Sequence, residues 1–274
     1  MDDQDETVLI PDRWAQLRRF TSARIALGRA GSSLPTHAHL EFQLAHARAR
    51  DAVHHALPVE SLSAGLGARD LQFELVHSAA PDRPAYLQRP DLGRRLDTPS
   101  RAALQAQRAR DDAPFDLALV IADGLSAFAI ERNALPFLDA LLPQLPPRSW
   151  RLAPVVIAEQ ARVALGDDIA QALNARMVAV LIGERPGLSS PDSMGIYLTW
   201  QPRPGTTDAQ RNCISNIRRE GLHLDLAAEK LLWLMTEARR RQLSGVSLKD
   251  EAQAPQEHLT APATNFLLDA PSIP

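Results

Sequence analysis

Apolar residues in this chain fall into two patterns, short unbroken runs and longer stretches at helical spacing. The clearest run, residues 177–182, is Met-Val-Ala-Val-Leu-Ile. Six apolar residues in succession suit a strand covered on both faces. Residues 115–122 and 153–158 read the same way, residues 196–200 give a further strand with two aromatics, and residues 71–76 alternate as a strand or sheet edge. Between these runs the period changes to that of helices. Thr98-Pro99 opens one, with a cap and a proline at its first position. Asp123-Gly124-Leu125-Ser126 turns a strand into another, running beyond Glu131, and residues 138–145 form a helical piece broken at Pro143. Asp167 or Asp168 caps a helix ending near Asn174. A long amphipathic helix covers 222–241, with Leu224, Ala227, Ala228, Leu231, Leu232 and Met235 on its covered side.

Strands alternating with helices predict an open, mostly parallel α/β sheet with helices on both faces, confined to residues 98–250. Residues 1–97 read differently. A short acidic start precedes a helical stretch over 12–20 and a Gly/Ser-rich loop over 26–34. Thr36 then caps a helix carrying Leu40, Leu44, Ala47, Val53 and Leu57 up to Pro58. This first third is mainly helical and too rich in loops to stand alone. Residues 251–274, with four prolines and no periodicity, form a loosely attached tail.

Composition narrows the function classes. The chain has 274 residues, 45% of them apolar, and a formal net charge of −3. That balance gives no basic field for nucleic acid. No run of 18 apolar residues suggests a membrane span. The single cysteine, Cys213, excludes an internal disulfide framework and a multi-cysteine metal site, and points to a reducing compartment. The acidic start is neither a basic signal region nor a transit peptide.

Candidate chemistry sits where strands end, because ligands of parallel sheets bind beyond the carboxyl ends of strands. Gly183-Glu184-Arg185-Pro186-Gly187 follows the best strand. Glu184 and Arg185 either pair in a solvated turn, or Glu184 accepts hydrogen bonds from a large ligand while Arg185 holds the turn. Asp123-Gly124-Leu125-Ser126 is either a helix cap or a seat for a polar ligand. It lacks the further glycines of a dinucleotide fingerprint and the lysine of a phosphate loop. Cys213, within Arg211-Asn212-Cys213-Ile214-Ser215-Asn216-Ile217, reads as a packed residue lining a ligand surface rather than a nucleophile, since no His is aligned with it. His37, His39, His46, His54 and His55 crowd the first long helix without zinc spacing and read as solvated or partner-facing. No metal site and no catalytic residue stands out.

Six segments in order resemble the small (light) subunit of ethanolamine ammonia-lyase. They are Gly28-Arg29-Ala30-Gly31, Arg50-Asp51-Ala52-Val53, Arg89-Pro90-Asp91-Leu92-Gly93-Arg94-Arg95-Leu96, Asp123-Gly124-Leu125-Ser126, Gly183-Glu184-Arg185-Pro186-Gly187-Leu188 and Cys213-Ile214-Ser215-Asn216-Ile217. The resemblance implies a Rossmann-like domain and a share in converting ethanolamine to acetaldehyde and ammonia with adenosylcobalamin. It implies a large barrel subunit as partner, which holds ethanolamine while the small subunit closes over the cobalamin from the other side. It also implies cobalamin contacts at Val163, Glu184 and Cys213, with Arg162 beside Val163, and a higher oligomer of heterodimers. The Asp-x-His-x-x-Gly pattern of another cobalamin class is absent, so no His is assigned to cobalt. The first 97 residues are the expected large-subunit contact. The resemblance leaves a free cytoplasmic enzyme and one housed in a bacterial microcompartment both open. Two readings compete: a stand-alone nucleotide- or phosphate-dependent enzyme, and a purely structural subunit without cofactor contact.

Overall fold

Alternate residues of the central strands point to opposite sides, and each side has its own core. A computed structural model describes residues 9–21, 23–108, 113–146 and 149–249. Strands β1 (Leu9–Ile10) and β2 (Arg29–Ala30) form a small antiparallel pair. The main sheet has six strands. They are β3 (Phe73–His77), β4 (Ala118–Ala122), β5 (Val155–Glu159), β6 (Met177–Gly183), β7 (Met194–Trp200) and β8 (Arg211–Ile217). Their order is β3-β5-β4-β6-β7-β8, parallel through β6 and antiparallel at β7 and β8. The helices are α1 (Thr36–His54), α2 (Val59–Gly67), α3 (Arg83–Gln88), α4 (Thr98–Arg108), α5 (Ala127–Leu141), α6 (Leu165–Leu173) and α7 (Leu224–Arg241).

On one face Leu119, Ile121, Ile157, Ala179, Leu181, Ile196 and Leu198 pack under α2, α5 and α7. On the other, Val120, Val156, Val178, Val180 and Ile182 pack under α4 and α6. This is the expected α/β sheet with helices on both faces, but it is not confined to residues 98–250, because the first 97 residues supply β3 as its edge strand. It follows from the alternation of the pleat, because residues i and i+2 share a face and both faces of the central strands are apolar. The strand expected near 71–76 is an edge strand, with Leu75 52% exposed, and it pairs in parallel with β5.

Several local expectations are corrected. Thr36 does not cap α1; it is the first helical residue after Pro35, which offers no side-chain acceptor. That helix ends at His54, short of Pro58, since the position before a proline disfavours helical backbone. Asp97, rather than Thr98, accepts from the Ser100 amide at the start of α4 (2.8 Å). Neither Asp167 nor Asp168 caps α6; the helix starts after Ala164, and both acids lie inside it, in ion pairs. Residues 138–141 belong to α5, which runs through Pro136, and only Leu142–Gln144 form a separate 3-10 turn. The segment 211–217 is a strand, β8, where the sequence showed only alternating polar residues. The tail over 251–274 lies outside the described residues.

Candidate functional site

Two of the singled-out turns meet at the carboxyl rim of the sheet. Gly124 sits at φ +57°, and a Cβ there would stand 2.2 Å from the Gly183 carbonyl oxygen. A Cβ on Gly183 would in turn stand 2.0 Å from the Ser126 carbonyl oxygen. Only glycine allows this approach. The Leu125 amide donates to the Gly183 carbonyl across the gap (2.9 Å). Ser126 caps α5, accepting from the Ala129 amide, and its hydroxyl donates to the Pro191 carbonyl (2.7 Å).

Asp123 is buried beneath this turn. Its carboxylate accepts from the amides of Gly124, Gln160 and Ala161 (2.8–2.9 Å) and from Arg83 (3.2 Å). Burial pushes its carboxyl up to about 6, against the pull of those donors. The turn is thus held from inside.

Glu184 forms no ion pair with Arg185, which is exposed. Its Oε2 accepts from the Ser193 hydroxyl and from the Asn216 amide (3.2 Å). Its backbone N–H donates to the Ser193 carbonyl (2.9 Å). The side chain lies over Gly195, where a Cβ would come within 2.9 Å of Oε1. Glycine at 195 therefore makes the bed on which Glu184 rests.

Cys213 lies opposite Tyr197 in the β7–β8 register, so the two side chains share a face. The thiol reaches solvent, yet crowding strips water from it and raises its pKa above the ordinary value; the Glu184 charge raises it further, against a hydrogen bond with Tyr197. A raised thiol is a poor nucleophile at neutral pH, in keeping with a lining role. Tyr197 is itself pushed up, chiefly by burial.

Val163 follows β5 and packs, half-buried, with the cluster that contains Val178, Val180, Ile182 and Tyr197. Ile182 and Glu184, two residues apart, lie on that same side. Val163, Glu184 and Cys213 thus belong to one face of the sheet. There α6 covers β6 so closely that a Cβ on Gly166 would stand 2.4 Å from Val180. Beyond α6, the surface over β7 and β8 is left open at Tyr197, Cys213 and Ser215. Arg162 stacks on Tyr86 (4.2 Å to the ring centroid) and donates to the Tyr86 carbonyl (3.2 Å). Arg162 and Val163 line a groove of about 680 Å³ with residues 90–95 and 204–208.

The acids expected to cap α6 instead pin it. Asp167 holds Arg211 through two bonds of 2.7 Å, both side chains being almost wholly buried. Asp168 accepts from Arg101 (2.6 Å) and from the Leu96 amide (3.0 Å). Ser193, Gly195 and Tyr197 were not singled out from sequence. Their signal is the return of the chain after Pro186-Gly187, which puts Ser193 beside Glu184 only once the β6–β7 register is known.

The histidines are scattered. His55 meets Glu131 (2.8 Å), and His37 meets Glu41 (3.3 Å). Among the described residues no group of three or more His, Cys, Asp and Glu is arranged to hold a metal, and no helix is long and apolar enough to cross a membrane.

The chain is also similar in sequence to known proteins. The profile of the family "Ethanolamine ammonia-lyase light chain (EutC)" matches residues 11–249. The ethanolamine ammonia-lyase small subunit of Pseudomonas paraeruginosa is 58% identical over 256 residues, covering 93% of this chain and 94% of that protein. That of Azotobacter vinelandii is 59% identical over 249 residues, 91% and 92% of the two chains. That of Pseudomonas syringae pv. tomato is 54% identical over 268 residues, 95% and 93%. The extent and level of these matches show that the chain belongs to the ethanolamine ammonia-lyase light chain family.

Proposed function

We propose that this chain is the small subunit of an adenosylcobalamin-dependent lyase that converts ethanolamine to acetaldehyde and ammonia, and that it completes a cobalamin site shared with a large barrel subunit. The observation that carries this reading is the open stretch of one sheet face, bounded by Val163 at α6 and by Glu184 and Cys213 at β6–β8. The residues there fit the cofactor chemically. Val163, Cys213 and Tyr197 offer apolar cover for a wide ring edge. Glu184 offers a carboxylate with one free oxygen, lying over a glycine bed that a larger residue would fill.

When bound, adenosylcobalamin supplies the homolytic chemistry, and the protein supplies position, shielding and electrostatics. In this reading Glu184 accepts hydrogen bonds from the amide fringe of the ring or from the adenosyl group. Val163 and Cys213 exclude water from the ring edge, and Arg162 supports Val163 from behind. Ethanolamine is held by the partner.

The first 97 residues are, in the same proposal, the contact with the large subunit, and residues 98–250 the cobalamin-contacting domain. Helix α1 supports this. It buries only Ala38, Ala45 and Ala52, while Leu40 and Leu44 are 55% and 52% exposed. Trp14 and Phe20 nearby are 58% and 63% exposed. An apolar surface of this kind marks a protein contact. Assembly into a higher oligomer of heterodimers, and a cytoplasmic location, free or in a microcompartment, complete the reading.

Co-expression with the large subunit tests it. The account expects the two chains to co-purify and to turn over ethanolamine only with adenosylcobalamin. Full deaminating activity from the large subunit alone would overturn it.

A further inference from the structure

We propose that a groove at the amino-terminal rim of the sheet, between residues 200–206 and 242–247, seats the acidic carboxyl-terminal segment of this same chain, residues 250–274. The inference stands apart from the cobalamin reading. The groove lies at the opposite end of the strands from Glu184, and none of the residues named for the cofactor lines it. The segment carries Asp250, Glu251, Glu257 and Asp269 and no lysine or arginine.

The chain leads into this segment at the mouth of the groove. Asn212 fastens the turn there, donating to the Gly245 and Leu248 carbonyls (3.3 and 2.7 Å) and accepting from the Gly245 amide (2.8 Å). Ser247, just before Lys249, lines the groove itself. A chain spans at most about 3.5 Å per residue, so Asp250 and Glu251 can enter at once and Glu257 stays within about 28 Å of Lys249. A segment tethered at the mouth has a high effective concentration there, which favours it over an untethered partner.

The groove, of about 620 Å³, is lined by Arg203 and by no carboxylate. Arg203 is exposed and has no ion-pair partner among the described residues. Trp200 also lines the groove, and its indole Nε1–H is buried without an acceptor among the described residues. A buried donor is costly to leave unpaired, and a carboxylate or main-chain carbonyl entering the groove satisfies it. Positive charge continues beyond the groove. The Gln201 amide donates to the Arg176 carbonyl (2.7 Å), and Arg239 stands one turn before Gln242 at the end of α7. Both guanidiniums lean on a single oxygen of Asp116, at 3.7 Å each, and they remain 54% and 42% exposed. The other Asp116 oxygen accepts from the Arg151 amide (3.0 Å). Glu237, on the same end of α7, is held by Arg240 and Arg241. Arg176, Arg203 and Arg239 thus have charge to spare, and carboxylates match guanidinium groups in charge and in donor geometry.

Hydrogen exchange of the full chain, read by mass spectrometry, tests this. In Asp250→Asn/Glu251→Gln/Glu257→Gln/Asp269→Asn, the amides of residues 200–206 and 242–248 are expected to exchange about fivefold faster than in the unaltered chain, with the central strands unchanged. Arg176→Gln/Arg203→Gln should give the same local rise. Adding the tail substitutions to that variant should give little more, since both sets remove one interaction. Salt at about 0.5 M should reproduce the rise in the unaltered chain and leave the tail variant as it was. No rise at the groove in the tail variant, or a rise spread evenly over the chain, would overturn the proposal. So would protection that disappears on about tenfold dilution, the mark of a second copy supplying the segment.

Discussion

Glu184 is the central side chain of the proposed site, and its neighbours fix it. Ser193 donates to it from the side, Asn216 from the next strand, and Gly195 leaves the space beneath it. Glu184→Ala should weaken cobalamin binding to the complex about tenfold while costing the chain only about 1–3 kcal/mol of stability, since the group is half-exposed but is the acceptor of the buried Ser193 hydroxyl. Ser193→Ala should produce a smaller loss, about threefold to tenfold, that Ser193→Thr restores. Titration of both complexes by absorbance checks this, and equal loss in the Ala and Thr variants would contradict it. Asp123 behaves differently. Its folded carboxyl, near 6, binds a proton more tightly than the unfolded chain does. Its contribution to stability is therefore fully present below about pH 4, declines as pH rises, and is lost above about pH 6. Carbon-detected NMR of the Asp123 carboxyl should give a midpoint near 6; a midpoint in the ordinary carboxylate range would show that the amide and Arg83 donors outweigh burial. Glu184, Cys213 and Val163 are named for the proposed site by motif resemblance, with the apolar run before Glu184 as physical support, and the structure sets them on one face of the sheet. Ser193 and Tyr197 were not legible in the sequence, because no local pattern says which residue of a returning strand will face a given side chain.

At the scale of elements, α6 is held on the sheet by a buried ion pair and by the absence of a side chain. Arg211, on β8, reaches Asp167, Thr199 and the Thr206 carbonyl. Breaking such a pair leaves an uncompensated charge in the interior. Arg211→Met should cost about 3–5 kcal/mol, and pairing it with Asp167→Leu should recover much of that loss. Urea denaturation of the single and double variants measures both; a single variant as stable as the parent would refute the clamp. Gly166→Ala should cost about 1–3 kcal/mol by pressing a methyl into Val180. The parallel strands were legible because covered strands must be apolar on both faces. β8 was not, because at its outward positions Cys213 and Ser215 face solvent and only Ile214 and Ile217 are apolar and buried. Acids at 167 and 168 look the same in sequence whether they cap a helix or meet an arginine; the partner of Asp167 lies 44 residues away.

Over the whole molecule, apolar exposure is unevenly placed. The core is divided between the two sheet faces, while large apolar side chains of residues 9–44 point outward. Helix α1 presents leucines to solvent and alanines to the protein, the reverse of an ordinary surface helix. If that surface meets the large subunit, Leu40→Glu/Leu44→Glu should abolish co-purification without lowering the melting temperature. Retention of the complex would move the contact elsewhere. The central claim is that the rim of this sheet forms one side of a cobalamin site. Its most direct test is a structure of the two-subunit complex with cobalamin bound. The account predicts the ring in van der Waals contact with Val163, Glu184 and Cys213, on the open face over β7 and β8. A ring seated away from all three residues would contradict it.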